Sequence, residues 1–310
     1  MTAIVVDGLR KAYGAVEAVR GVSFTVEEGE VFGLLGPNGA GKTTTIEILE
    51  GYRHRDAGSV TVLGVDPQSG GRKLRERVGL VLQEAAVPPM LSVKELVELY
   101  RGFYPSPRPA DEIIELVGLT EKAGERVRKL SGGQQRRLDV ALGLVGDPEL
   151  IFLDEPTTGF DPSARRAAWE VVRNMRTLGK TIVLTTHYMD EAQYLADRIC
   201  VIASGKVVAE GTPETLRART ERRTHIRFEL PAGVDVAKVP IPLTVSNGMA
   251  LIETSTPTRS LCDLTTWAVA QGIELPNLEV NRPSLEDVYL ELTDHDVAAQ
   301  GDRTGVGAHE

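Results

Sequence analysis

The sequence predicts an α/β fold: a mainly parallel core sheet covered by helices, with an antiparallel β part before it, a helical insertion within it and a small α+β domain after it. Three observations carry this prediction. Residues 1–36 hold short β-branched runs separated by turn residues. From Leu150 to Ile202 apolar strand-like runs alternate with helix-periodic segments, the pattern of a helix-covered parallel sheet. Between about 84 and 145 the pattern is helical alone.

The first strands are expected around Ile4-Val5-Val6, Val22–Val26 and Val31–Leu35. The last run is apolar throughout, as a strand buried on both faces requires, and it passes through a glycine-rich turn into the helix-spaced run Thr43–Leu49. Further strands are expected at Ser59–Leu63 and Val78–Gln83. Ser92 with Glu95 three residues on makes a capping-box signature ahead of Leu96, Val97, Leu99 and Tyr100, and Pro109-Ala110-Asp111 opens a second apolar-periodic stretch. Strands return at Leu150–Leu153, Thr181–Thr185 and Ile199–Ile202, with helices over Ala164–Leu178 and Asp190–Ala196. Charge density rises across Leu216 to Arg223 and the α/β alternation ends, which places a domain boundary there, between a first domain 1–217 and a second 222–294. The second has strand-like Ile226–Leu230 and Ala250–Glu253, helix-like Ser260–Gln271 and a helix start at Ser284 after Pro283. Residues 295–310 are glycine-rich and poor in apolar groups, so a disordered tail is expected.

Composition narrows the function classes. Hydrophobic residues at 42% and charged residues at 25% describe an ordinary globular chain with a packed core. The longest apolar runs stop well short of the ~20 residues that cross a bilayer. Met1 to Arg10 carry Asp7 and lack a secretory signal's basic start and apolar core, so a cytoplasmic location is expected. Cys200 and Cys262 stand apart from each other and from histidine, which argues against a disulfide framework or zinc site. A net charge of −9 argues against nucleic acid as a partner, and the basic clusters Arg126–Lys129 and Arg136-Arg137 read as solvated or helix-capping.

Gly36-Pro37-Asn38-Gly39-Ala40-Gly41-Lys42-Thr43 satisfies G-x-x-x-x-G-K-[ST] directly between the buried strand and a helix. Glycines let successive N–H groups turn inward around phosphate oxygens, and the helix start adds partial positive charge. Lys42 is expected to neutralise the β- and γ-phosphates, and Thr43 to offer its hydroxyl to Mg²⁺. Leu150–Leu153 ends in Asp154-Glu155, adjacent acids that repel and so call for a counter-charge such as Mg²⁺–ATP. Asp154 is expected in the metal shell and Glu155 as the group that orients or deprotonates an attacking water. Leu130-Ser131-Gly132-Gly133-Gln134 reads as a capped helix start whose glycines leave the backbone open to an anion. A chain that already has one phosphate cradle has most use for a second if it completes another subunit's nucleotide, which implies a dimer.

Together these residues resemble the ATP-binding cassette family, over about residues 1–217, with the phosphate loop, the Leu130–Gln134 signature and the Asp154–Glu155 strand in the family's order. The resemblance implies ATP and Mg²⁺ as cofactors and adds further site residues. Tyr13 matches the aromatic on which adenine stacks, and Thr44 joins Gly36 to Thr43 in holding ATP. Gln83 matches the glutamine that senses Mg²⁺ and the attacking water, and His187 the histidine that contacts the γ-phosphate. Ser131, Gly132, Gly133 and Gln134 are then expected to act on the ATP of the other subunit. Thr158–Pro162 is similar to the loop crossing the dimer interface, with Phe160 where leucine is commoner. Thr185–Ala192 and Arg282–Leu290 are similar to bacterial exporter ATPases of the daunorubicin-resistance type. That implies a separate membrane permease as partner, contacted by the helical insertion, a second cassette in a homodimer, a drug, lipid or other amphipathic cargo, and a place at the cytoplasmic face of the membrane. The alternative is a soluble cassette ATPase acting on ribosomes or nucleic acid; a small-molecule phosphate-loop kinase leaves the signature, Gln83 and His187 without a purpose.

Overall fold

The structure is a computed structural model that describes residues 1–81, 87–220, 224–231, 234–246 and 248–281. They fall into two compact units that divide between Pro213 and Glu214.

Two long strands open the first unit, β1 (Thr2–Tyr13) and β2 (Val16–Glu27). Their alternation buries Ile4, Val6 and Leu9 of one and Val19, Val22, Phe24 and Val26 of the other, the period of two that a half-buried sheet needs. β3 (Val31–Leu35) leaves for a second sheet and runs through the phosphate loop into α1 (Lys42–Leu49). β4 (Ala57–Val62) returns to the first sheet, whose order is β2-β1-β4, antiparallel throughout. Next come α2 (Pro67–Arg75), capped by Asp66, and β5 (Val78–Val81).

The insertion holds α3 (Val93–Arg101), α4 (Ala110–Leu116) and α5 (Gly132–Leu144). Both capping boxes read from the sequence are present: Ser92 with Glu95 at α3, and Ser131 with Gln134 at α5. The core then closes with β6 (Leu150–Asp154), α6 (Pro162–Thr177), β7 (Thr181–Thr186), α7 (Met189–Leu195), β8 (Arg198–Ala203) and β9 (Lys206–Gly211). The six strands run in the order β5-β6-β7-β3-β8-β9, parallel up to β8, with β9 antiparallel at the edge. Register places Leu35 beside Thr186 and Asp154 beside Thr185, so the loops leaving β3, β6 and β7 emerge together at the carboxyl edge of the sheet. In open α/β sheets that edge is where ligands bind.

After α8 (Pro213–Thr220) the second unit has β10 (Thr224–Glu229), β11 (Thr244–Ser246), β12 (Met249–Thr254), α9 (Pro257–Ala270) and β13 (Glu279–Asn281). The antiparallel order is β11-β12-β10-β13, and the core is Ile226, Phe228, Ala250, Ile252 and Leu264.

Several elements differ from the sequence reading. α2, β9, β11 and β13 were not anticipated, and the charged stretch expected to end the α/β pattern begins as helix α8. Tyr13, matched to the adenine-stacking aromatic, is the last residue of β1. Arg136 is not solvated: it is buried, and its guanidinium donates to the carbonyls of Pro156 (3.2 Å) and Asp154 (3.1 Å). Gln83, the Ser284–Leu290 helix and the 295–310 tail lie outside the described residues.

β5 and α5 pack backbone against backbone at Gly79, where an added Cβ would sit 2.3 Å from the Gly143 carbonyl oxygen and 2.8 Å from the Pro148 ring. Gly79→Ala is therefore expected to destabilise the chain by about 1–3 kcal/mol as the strand and helix are forced apart; an unchanged urea midpoint would show that the contact gives way freely. A second expectation concerns Glu50, which closes α1. Burial, then the charges of Asp154 and Glu47, push its carboxyl up to about 8 from an ordinary 4.5. The folded state holds this proton more tightly than the unfolded one, so the stabilisation is complete below about 4.5 and is lost as pH rises through about 8. Glu50→Gln should remove that loss, raising stability at pH 9 by about 2 kcal/mol after allowance for solvent screening. Parallel pH profiles of melting temperature for both proteins would contradict it.

Candidate nucleotide site

The phosphate loop is shaped by what its glycines permit. Gly41 has φ 101°, and a Cβ there would lie 2.4 Å from the Ala18 carbonyl oxygen, so only glycine fits. Gly41 caps α1 without a side-chain hydrogen bond, and the first turn holds no acidic residue, which leaves the helix N-terminus to an anion. Lys42 is 5% exposed. Its Nζ donates to the carbonyls of Gly36 at 2.7 Å and Pro37 at 3.1 Å, folding the side chain back under the loop. Burial pushes its ammonium below the usual lysine range, against the opposing pull of Glu155 and Asp154. Asn38, Gly39, Gly41, Lys42, Thr43 and Thr44 line a cleft of 480 Å³ that Asp154 and Glu155 complete.

The carboxylates are directed by one hydroxyl from the next strand. Thr185 Oγ1 donates to Asp154 Oδ1 and accepts the backbone N–H of Glu155 at 3.0 Å. Glu155 itself has φ 44°, in the left-handed region that costs a non-glycine residue about 1–3 kcal/mol and that persists where surrounding contacts over-determine it. Those contacts are the Thr185 bond and Thr158 Oγ1, which donates to Glu155 Oε2 at 3.0 Å. Glu155 Oε1 lies 4.0 Å from Lys42 Nζ and 3.3 Å from His187 Nδ1. The His187 nitrogen is buried and, among the described residues, has no hydrogen-bond partner, so a polar group of a ligand has a place to meet it.

The Ser131–Gln134 segment lines a different cleft, of 250 Å³, with Asp161 and Ser163 at the start of α6. Ser131 Oγ accepts from Gln134 N–H at 3.3 Å and Gln134 Oε1 from Ser131 N–H at 2.9 Å. A Cβ at Gly132 would meet nothing within 4 Å among the described residues, so no neighbour there requires its glycine. The chain thus gathers Gly36 to Thr44, Asp154, Glu155 and His187 at one edge and holds Ser131 to Gln134 apart from them. Tyr13 stands at the end of β1, with the Arg53 guanidinium 5.2 Å and the Lys11 ammonium 5.7 Å from its ring centroid.

Sequence reasoning did not single out Thr185 or the buried Glu191. Glu191 Oε1 accepts from Thr157 Oγ1 at 2.7 Å and Trp169 Nε1 at 3.0 Å, which ties the loop after β6 to α7, and burial pushes its carboxyl up. A threonine in a β-rich run and a glutamate in a helix carry no pattern; only the pairing of β6 with β7 brings them to the site.

A phosphate loop after a central parallel strand, with two carboxylates at the end of β6, one strand further across the same sheet, defines a phosphate-loop nucleotide hydrolase. The family model described as ABC transporter matches residues 19–158, and that of the ABC transporter domain-containing protein-like C-terminal domain matches residues 224–284. The chain is 39% identical over 306 residues to the daunorubicin resistance ATP-binding protein DrrA3 of Streptomyces coeruleorubidus, covering 95% of this chain and 97% of that one. It is 36% identical to the linearmycin resistance ATP-binding protein LnrL of Bacillus subtilis, over 93% and 97% of the two chains, and 43% identical to the Nod factor export ATP-binding protein I of Burkholderia lata, over 78% of each. Among solved structures, cbiO1 of Clostridium perfringens, part of an ABC transporter complex, superposes with a TM-score of 0.64 at 28% identity over 70% of this chain and 91% of that one. The chain belongs to the ABC transporter family, as an ATP-binding subunit that hydrolyses ATP and works with a separate membrane subunit. The reading as a ribosome or nucleic-acid ATPase finds no support in these relatives.

Thr185→Val keeps the β-strand shape and removes the hydroxyl that directs both acids. It is expected to lower kcat for ATP hydrolysis by about 10²-fold through misplacement of Glu155, with nucleotide affinity nearly unchanged. A variant with wild-type turnover would show that the strand register alone suffices.

Proposed function

We propose that the chain powers export of a drug, lipid or other amphipathic cargo through a separate permease, as a pair of cassettes that sandwich two ATP molecules. Support comes first from the split of the site into two clefts, one with the phosphate loop and both acids, the other with Ser131 to Gln134. A neighbour solved as a dimer in a post-hydrolysis state bound to ADP and Pi has a TM-score of 0.60 at 26% identity, over 67% of this chain and 98% of that one. The named resistance and export relatives supply the direction and the cargo class. Among the described residues no helix is long and apolar enough to cross a membrane, so the permease is what holds the chain at the cytoplasmic face.

In this reading the loop N–H groups and Lys42 cradle the β- and γ-phosphates, with Tyr13 stacked on adenine. The Thr43 hydroxyl and Asp154 carboxylate are oxygen donors suited to Mg²⁺, with Gln83 as the further ligand; the ion, when bound, neutralises charge on the phosphates. Glu155 accepts a hydrogen bond from the attacking water and takes its proton as the new bond to the γ-phosphorus forms and the bond to the bridging oxygen of ADP breaks. Lys42 beside it offsets the charge leaving with ADP. His187, whose Nδ1 lies 3.3 Å from Glu155 Oε1, holds a γ-phosphate oxygen. Ser131, Gly132, Gly133 and Gln134 of the partner subunit's signature segment close over the same phosphates.

Glu155→Gln keeps the size of the side chain and removes its basicity. ATP binding should persist, turnover should fall by about 10²–10⁴-fold, and an ATP-bound dimer should accumulate on size-exclusion chromatography. Near-normal steady-state hydrolysis would remove Glu155 from this role.

A further inference from the structure

Glu155 keeps its left-handed backbone, φ 44°, although it precedes Pro156, whose ring narrows the conformations open to the residue before it. The peptide that joins Asp154 to Glu155 is held at both of its polar ends. Its N–H donates to Thr185 Oγ1 at 3.0 Å, and its carbonyl accepts from Arg136 Nη2 at 3.1 Å. Arg136 Nε donates to the carbonyl of Pro156 at 3.2 Å. One planar guanidinium therefore spans Glu155, from the peptide before it to the carbonyl of the residue after it.

Arg136 is an expensive side chain to place there. It is 7% exposed, and α5 carries it two residues after Gln134. Removing a guanidinium from water costs a fold more than burying an apolar side chain of similar volume. Burial pulls it below the usual arginine range, against the opposing pull of Asp139, Asp154 and Glu191, and arginine keeps its proton all the same. Asp139, one turn on in the same helix, lies 4.0 Å from its Nη1. A lysine would lose its proton more readily when buried and has no fork with which to reach two carbonyls. The residue type thus fits the task of holding two carbonyls at a fixed spacing.

We propose that Arg136 is a positioning residue for ATP hydrolysis: from α5 it locks the backbone of Glu155 so that the carboxylate is directed at the attacking water. The proposal rests on the reading of Glu155 as the group that takes the water's proton, and adds what holds that group in place. Arg136 is not among the residues lining either nucleotide cleft, so its effect passes through Glu155. Thr185 fixes the shared peptide from β7 and Arg136 fixes it from α5, so the aim of the acid depends on the core sheet and on the helical insertion together. Without the guanidinium the peptide is free to turn, and Glu155 relaxes toward the extended backbone that a residue before proline prefers. Its carboxylate then leaves its place 4.0 Å from Lys42 and 3.3 Å from His187.

The test measures steady-state and single-turnover ATP hydrolysis by the full chain, with folding checked by the melting transition. Arg136→Lys keeps a positive charge and loses the fork. It is expected to lower kcat by about 10–100-fold, with KM for ATP within about threefold of wild type. The same change made in Glu155→Gln should lower the residual turnover by less than about twofold, because the group that Arg136 positions is already gone. A merely structural role would lower turnover by the same factor in both backgrounds; that result, or wild-type kcat in Arg136→Lys, overturns the proposal. If Arg136→Lys does not fold, Arg136→Met with Asp139→Asn removes both members of the ion pair and carries the same comparison. Failure of both variants to fold assigns Arg136 to stability alone and likewise overturns the proposal. Near-normal hydrolysis in Glu155→Gln by itself fails the Glu155 reading first, and so is told apart from a failure of Arg136.

Discussion

Two carboxylates side by side at the end of a buried strand repel each other and, left alone, would turn wherever solvent is nearest. The hydroxyl of Thr185 prevents this: it donates to Asp154 and accepts from the N–H of Glu155, so one oxygen on β7 fixes the direction of both acids on β6. The bond exists because β6 and β7 are parallel neighbours in register at Asp154 and Thr185. The left-handed backbone of Glu155 is held by the same bond and by Thr158, and it aims the carboxylate between Lys42 and His187. Strain of this kind is tolerated where rigid elements supply the holding energy, and here they are β3, β6 and β7, buried throughout except for Asp154 at the end of β6.

Much of this was legible in the sequence because it depends on local chemistry. Val31–Leu35 reads as a buried strand since every residue in it is apolar, and the observed strand has the same bounds. Ser92 with Glu95, and Ser131 with Gln134, read as capping boxes since both partners lie within one turn. The phosphate loop is a contiguous motif. What escaped reading is what depends on contacts between distant segments. Thr185 matters through a residue 31 positions away in the chain, and Glu191 through Thr157 at 34 and Trp169 at 22. Arg136 looked like a surface charge because its neighbour Arg137 is basic too; its burial follows from carbonyls on β6 and the loop after it, which no local pattern announces. Edge strands such as β11 and β13, three residues each, are too short for any periodicity to register.

The separation of the two clefts follows from the same architecture. The starts of α1 and α5 line separate clefts, because one helix leaves the parallel sheet and the other ends the helical insertion. Among the described residues nothing lies within 4 Å of a Cβ built at Gly132, so the backbone at the start of α5 is open.

Helices transmit displacement along their axes because their backbone hydrogen bonds make them stiff, so a displacement at the C-terminal end of α1 or α5 reaches its N-terminal turn. Glu50 and Asp139 lie in the wall of one depression on these two helices, and close packing of β5 against α5 at Gly79 leaves little slack for motion to be absorbed locally. An apolar side chain would fill the depression at less electrostatic cost to the fold than two half-buried acids.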